Sequence, residues 1–412
     1  MNLIIKNIGQ LVTVSANGKP SKAGKEMNEL NVIEDAAIIV EEGIIKRIAV
    51  KNELPIGRDV EVLDAGNRVA LPGFVDSHTH VVFAENPQDD VHGGTIKESN
   101  QGLNPTAEFL PLMQATRIAP KKELIRSANR RLNEMMRHGT TTVEIKSGYG
   151  LTVDGEIKML DVINDLRRDH YMSIVPTFLG AYAFPPEFEK DHLGYVDLIN
   201  KRMIPYIGER HLATFCDVSC DEGGFDLHQS ENILLEAKQH GLIPKIHADR
   251  NAAIGASKLG AQLHCISVDH LNYLTPNGLS ALRNSSAIAT VLPGSSFFHN
   301  RQYAPARSII DAGIPLSIAT GFSPISSMCF SMQMMMSIAC TQMKMTPKEA
   351  ISASTINGAA ALGLSEEIGS IEVGKQADIL IVEASDYAYL PYHFTENKIR
   401  NVVKNGIILE IA

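Results

Sequence analysis

The chain has 412 residues, 44% hydrophobic and 21% charged, with a net charge of −9. That length holds one large barrel with a small satellite domain, or roughly two or three ordinary domains, and it buries a large core without disulfides. The acidic balance excludes nucleic acid as the main partner, because phosphate neutralisation needs a basic surface.

The N-terminal run MNLIIKNIGQ is too short for a secretory leader or a membrane span, so no membrane role is expected. Five scattered cysteines fit reduced thiols better than a disulfide framework, and a cytoplasmic location follows as an expectation. Residues 1–65 read as strands and turns: LIIKN, LVTV, DAAIIVEEG and GIIKRIAV are β-branched runs bounded by Gly, Asn and Lys. The tail repeats that texture in GSIEVGKQADILIVEA and IRNVVKNGIILEI. Residues 1–65 plus 368–412 are therefore expected to form a β-sandwich built from both termini.

Between them, residues 66–367 alternate short apolar runs with amphipathic segments. The candidate strands, in order, are GFVDSHTH, TTTVEIKS, SIVPTFLGA, ATFCDVSC, IPKIHAD, LHCISVDHL, AIATVLPG and IPLSIATGF. Helical segments such as KKELIRSANRRLNEMMRHG and SENILLEAKQHG end at Gly, a helix stop. The pattern is that of an α/β fold of the (β/α)8 TIM-barrel kind. A doubly wound sheet would need a Gly-rich first turn, and none is present. The stretch from Asn86 to Pro120 reads as a long loop over the active face.

In such a barrel, chemistry sits at the C-terminal ends of the strands. His78 and His80 end the first strand, and their i, i+2 spacing points both imidazoles to one face. His247 ends the fifth strand and His270 the sixth. Imidazoles converging on one rim can bind zinc or a similar ion. Several residues have plainer readings. Lys146 reads as a barrel-rim salt bridge, His138 as a helix end and His299 as solvent-facing. Asp249 reads as structural, Cys216 and Cys220 as strand cysteines, and the run from Met328 to Met336 as a packed helix.

The segments LPGFVDSHTH, TTVEIKSGYGL, VPTFLGA, KIHAD, DHL, LPGSSFF, YAPAR, TINGAAALG and GSIEVGKQADI together resemble the imidazolonepropionase family of the amidohydrolase superfamily. The resemblance runs over nearly the whole chain. It implies one divalent metal, zinc or iron, on His78, His80 and His247, with His270 as the catalytic group that hydrogen-bonds the developing oxyanion. It also implies a small-molecule substrate with Tyr149, Tyr182, Ser323 and Ser326 at the substrate-contacting positions, a homodimer, and hydrolysis of a cyclic imidazolone to formiminoglutamate in histidine degradation; Arg250 reads either as a guanidinium that binds an anionic substrate group or as a structural salt bridge.

The site departs from the family pattern at several positions. Gly321 stands where the family has an Asp that binds metal and accepts a proton. Pro87 replaces an Arg that holds the substrate carboxylate, Tyr182 replaces a His, and Arg250 replaces a Glu or Gln. Ser323 and Ile325 replace an Asn and a Gly. Tyr149, His270 and Ser326 match. Two other readings therefore stay open. One is a related hydrolase or deaminase for a different small anionic nitrogenous compound. The other is a catalytically silent relative that binds a small molecule.

Overall fold

A computed structural model describes residues 2–50, 60–84 and 105–410. The position of Pro87 and the first part of the expected loop after Asn86 lie outside the described residues.

Both termini contribute to one seven-stranded sheet. The N-terminal part supplies β1 (Asn2–Val12), β2 (Val32–Glu41), β3 (Ile44–Val50) and β4 (Glu61–Pro72). The C-terminal part supplies β13 (Ile379–Val382), β14 (Ile399–Lys404) and β15 (Ile407–Leu409). The sheet order is β15-β14-β13-β4-β1-β2-β3. The two ends of the chain meet where β13 runs antiparallel to β4, with Ile379 opposite Pro72. Two-residue turns at Glu42-Gly43 and Asn405-Gly406 have positive φ at both positions, the conformation a tight hairpin demands. Alternating residues Leu3, Ile5, Ile38, Val40, Ile379 and Ile381 are buried in one apolar cluster.

The barrel strands follow the expected runs. They are β5 (Phe74–Asp76), β6 (Thr140–Lys146), β7 (Ser173–Ala181), β8 (Phe215–Cys220), β9 (Ile243–Ala248), β10 (Ser267–His270), β11 (Ile288–Val291) and β12 (Leu316–Ile318). All pair in parallel with their chain neighbours. Strands buried on both faces read as continuous apolar runs, which is why the pattern was visible in the sequence.

Closure between the first and last strands is made just beyond their ends. His80 N–H donates to Phe322 O at 2.8 Å, and Gly321 N–H donates to His78 O at 3.1 Å. Beneath them the Thr320 N–H and hydroxyl donate to the Asp76 carboxylate at 3.0 and 2.5 Å.

The helix Lys121–Arg137 buries Leu124, Ala128, Leu132 and Met135 at helical spacing, and Gly139 beyond its end takes φ +94. The helix Leu227–Gln239 begins with a capping box formed by Asp226 and Gln229. Residues 105–118, expected to be loop, form a helix instead. Ala, Glu, Leu, Met and Gln in that stretch are strong helix formers, and Phe109, Met113 and Thr116 turn inward from it. Met332, Met335 and Met336 are buried on the helix Met332–Gln342, whereas Met328, expected on the same packed helix, lies before it and is exposed. Among the described residues, no helix is long and apolar enough to cross a membrane.

Candidate metal centre and its cavity

The four imidazoles meet at the C-terminal rim. His78 lies 4.6 Å from His247, 5.3 Å from His270 and 5.6 Å from His80, ring centre to ring centre. His247 and His270 are 4.9 Å apart. Ligand atoms of His78, His247 and His270 all lie within 4.8 Å of one another, the grouping that suits a single ion. His80 stands beside this triad, with its ring 6.2 Å from that of His247. His270 reaches inward because the backbone curls at the end of β10, with φ +77 at His270 and +61 at Leu271.

The second ring nitrogen of two of these histidines is held by a carboxylate. His78 Nδ1 lies 2.6 Å from Asp269 Oδ2, and His247 Nδ1 lies 3.1 Å from Asp217 Oδ1. Such a carboxylate selects the tautomer with Nδ1 protonated and leaves the Nε2 lone pair free. Burial pushes His78, His80 and His270 well below the ordinary imidazole range, so all three are neutral at pH 7 and able to ligate. Among the described residues, His270 Nε2 and His80 Nδ1 are buried without a hydrogen-bond partner. Buried imidazoles, two with tautomers fixed by carboxylates and two with orphaned nitrogens, fit a divalent metal ion.

Below the cluster lies a charge network: the salt bridge expected of Lys146 is present, but buried rather than on an open rim. Lys146 is fully buried in the barrel interior, 2.7 Å from Asp217 and 2.9 Å from Glu144. Lys245 joins it at 3.0 Å from Glu144. The reason is positional: both lysines lie on strand faces that turn toward the barrel axis, where a charge must be paired. Burial pushes the Asp217 carboxyl up, but His247 and Lys146 outweigh it and hold it below its ordinary value.

A cavity of about 570 Å³ opens onto all four histidines. Of the residues expected to bind substrate, Tyr182, Arg250, Ser323 and Ser326 line it. Tyr149 stands behind, its ring tilted against that of His80 at 5.6 Å, with its hydroxyl 3.0 Å from Ser323 Oγ. Burial pushes both tyrosine hydroxyls up, so they stay protonated. Ser326 donates to Gly321 O at 2.9 Å.

Gly321 itself has φ +61, and a Cβ built there would meet Leu292 Cδ2 at 2.5 Å. Leu292 occupies the space that a side chain at this position would need. Asp249 is spent on structure: its oxygens accept the backbone N–H groups of Gly255, Ala256 and Ser257 at 3.0–3.2 Å.

The sequence reading missed three features. His299, expected to face solvent, lines the cavity and contacts Ile325 O at 3.1 Å. Arg301 and Asp221 also line it. Asp221 in CDEGG carried no motif, and only the fold brings it beside Arg250.

A parallel eight-stranded barrel with histidines from its first, fifth and sixth strands on one rim defines an amidohydrolase-type protein. The amidohydrolase family model matches residues 223–409. The chain is similar to the imidazolonepropionase of Clostridium tetani, at 41% identity over 99% of this chain and 98% of that one. It is also similar to that of Parabacteroides distasonis, at 41% identity over 98% of each. An adenosine deaminase structure from Xanthomonas campestris with bound zinc shares the fold, with a TM-score of 0.73, 19% identity and coverage of 98% and 92%. The chain belongs to the imidazolonepropionase family.

Proposed function

We propose that this protein hydrolyses a ring C–N bond of a small cyclic amide, the family substrate being imidazolone propanoate opened to formiminoglutamate in histidine degradation. In this reading His78, His247 and His270 hold one divalent ion, zinc or iron. The distance within that triad carries the choice of His270 over His80. The metal, when bound, supplies Lewis-acid polarisation of the amide carbonyl and lowers the pKa of water.

The chain's own residues do the rest. Asp269 and Asp217 orient His78 and His247 through their Nδ1 atoms. His80, neutral and beside the triad, takes up a proton in place of the carboxylate that Gly321 lacks. Tyr182 and Ser326 border the substrate, and Tyr149 holds Ser323 in place. Leu292 and Phe109 line the cavity and keep water from the ring. A cytoplasmic location and a homodimer belong to the same reading.

A second reading is favoured by Arg250 and Tyr182, which change the wall facing the histidines: the ring compound differs from imidazolone propanoate while the reaction class stays the same. The test is elemental analysis of protein purified without chelator, paired with turnover of imidazolone propanoate. About one equivalent of zinc or iron with release of formiminoglutamate supports the first reading. Metal without that turnover selects the second. Protein free of metal and inert toward cyclic amides overturns both.

A further inference from the structure

Two guanidinium groups line the cavity, and a short chain of hydrogen bonds joins them. Arg301 Nη1 donates to Asn251 Oδ1 at 2.6 Å. Asn251 Nδ2 donates to Asp221 Oδ2 at 2.5 Å, and Arg250 Nε donates to the same oxygen at 3.0 Å. Asp221 Oδ1 accepts the backbone N–H groups of Glu222 and Asn251 at 3.0 and 3.2 Å. Both carboxylate oxygens are therefore occupied, and this one negative charge offsets one guanidinium.

Among the described residues, Arg301 has no carboxylate within ion-pair distance. Burial, and then the like charge of Arg250, pull it below its ordinary value. The cavity's other carboxylates, Glu189 and Glu222, are exposed and so screened by water, whereas Arg250 and Arg301 are partly buried. Among the described residues, the buried and partly buried part of the cavity wall thus holds two guanidiniums to one carboxylate, the surplus charge lying on a planar group with donors to spare.

We propose that Arg301 and Arg250 form a carboxylate subsite, so that the cavity takes a small ring compound carrying an acidic tail. This rests on the reading of the histidine cluster as the place where the ring docks. A monoanion balances the single excess charge, whereas a dianionic phosphate would leave negative charge beside Asp221. A carboxylate accepts two parallel N–H bonds from a guanidinium, a geometry a neutral amide does not reproduce. Arg250 bridges the two regions. It hydrogen-bonds Tyr182 and adds its charge to the field at His80 and His270. The subsite therefore begins at Arg250, beside the histidines, and extends through Asp221 and Asn251 to Arg301.

The experiment is calorimetric titration of the purified full-length protein with two unreactive probes, 3-(1H-imidazol-4-yl)propanoate and the corresponding propanamide. The acid is expected to bind about tenfold or more tightly than the amide, as a charge-assisted fork contributes. In Arg301→Gln that preference falls to about threefold or less, while amide affinity is unchanged. Arg301→Lys keeps part of it. Equal affinities in the wild type, absence of binding by either probe, or an unaltered preference in both Arg301→Gln and Arg250→Gln overturns the subsite. Neither probe is cleaved, so a failed hydrolase reading shows separately, as missing metal and missing turnover.

Discussion

Lys146 places its ammonium 2.7 Å from Asp217, and Asp217 in turn lies 3.1 Å from the Nδ1 of His247. The same ammonium is 3.8 Å from Asp269, the partner of His78. One lysine thus underlies the carboxylates that orient both histidines.

Replacing Lys146 by Met therefore has two expected effects. It leaves Glu144, Asp217 and Asp269 buried against Lys245 alone, which costs about 3–5 kcal/mol of stability. Metal affinity falls about 10–100-fold, because the carboxylates no longer hold the imidazoles in register. Urea denaturation reads the first and chelator competition on the folded fraction reads the second. A variant that is destabilised but binds metal as the wild type does would confine Lys146 to a structural role.

Restoring a carboxylate at Gly321 is expected to fail by itself. Aspartate tolerates φ +61 better than most residues, but its Cβ would lie 2.5 Å from Leu292 Cδ2. Gly321→Asp should destabilise by about 1–3 kcal/mol. Combined with Leu292→Ala the two changes should couple favourably by about 1–2 kcal/mol, with metal content rising only in the double variant. Denaturation of the two single variants and the double variant, with elemental analysis of each, decides it. Simple additivity would show that Leu292 does not fill the vacated space.

The two candidate roles of His80 and His270 separate on metal content. His270→Ala should lower it to well under half an equivalent, as should His78→Ala and His247→Ala. His80→Ala should keep most of the metal and lose turnover by about 10²–10⁴-fold, the usual contribution of a general base. The reverse pattern would restore His80 as the ligand and His270 as the group acting on substrate.

His170 gives a pH dependence remote from the site. Burial pulls its imidazole down to about 4. Its Nδ1 accepts the Met172 N–H at 3.0 Å, and its Nε2 lies 3.0 Å from Asn133 Oδ1. A proton on Nδ1 would confront that N–H. The folded value lies below the unfolded one of about 6.5, so the unfolded chain takes up the proton first as pH falls. The stability contribution is thus fully present above about pH 6.5 and is lost as pH falls toward 4, by on the order of 1–3 kcal/mol. In His170→Asn the difference from wild type should shrink by that amount between pH 7.5 and 4.5 in urea denaturation. A constant difference would mean that His170 titrates normally.

The barrel was legible because its strands are buried on both faces, so runs such as TTTVEIK and SIVPTFLGA stand out without tertiary information. The histidines were legible because each closes such a run. The helix Pro105–Ile118 was not, since Pro111 interrupts it and its apolar residues are spread around the helix rather than gathered in one stripe. His299 and Arg301 were not, because residues after a short helix carry no periodicity that says which way they face.

By itself the sequence determined the order of strands and helices, the union of the two termini and the four imidazoles at strand ends, since local pattern and burial period are written residue by residue. Tertiary structure decided which three imidazoles bring their nitrogens within 4.8 Å of one another, that Lys146 lies inside the barrel, that Leu292 stands against Gly321, and that Arg250 and Arg301 are joined through Asp221 and Asn251. These depend on distances between segments tens to hundreds of residues apart, which barrel closure sets and no local pattern records.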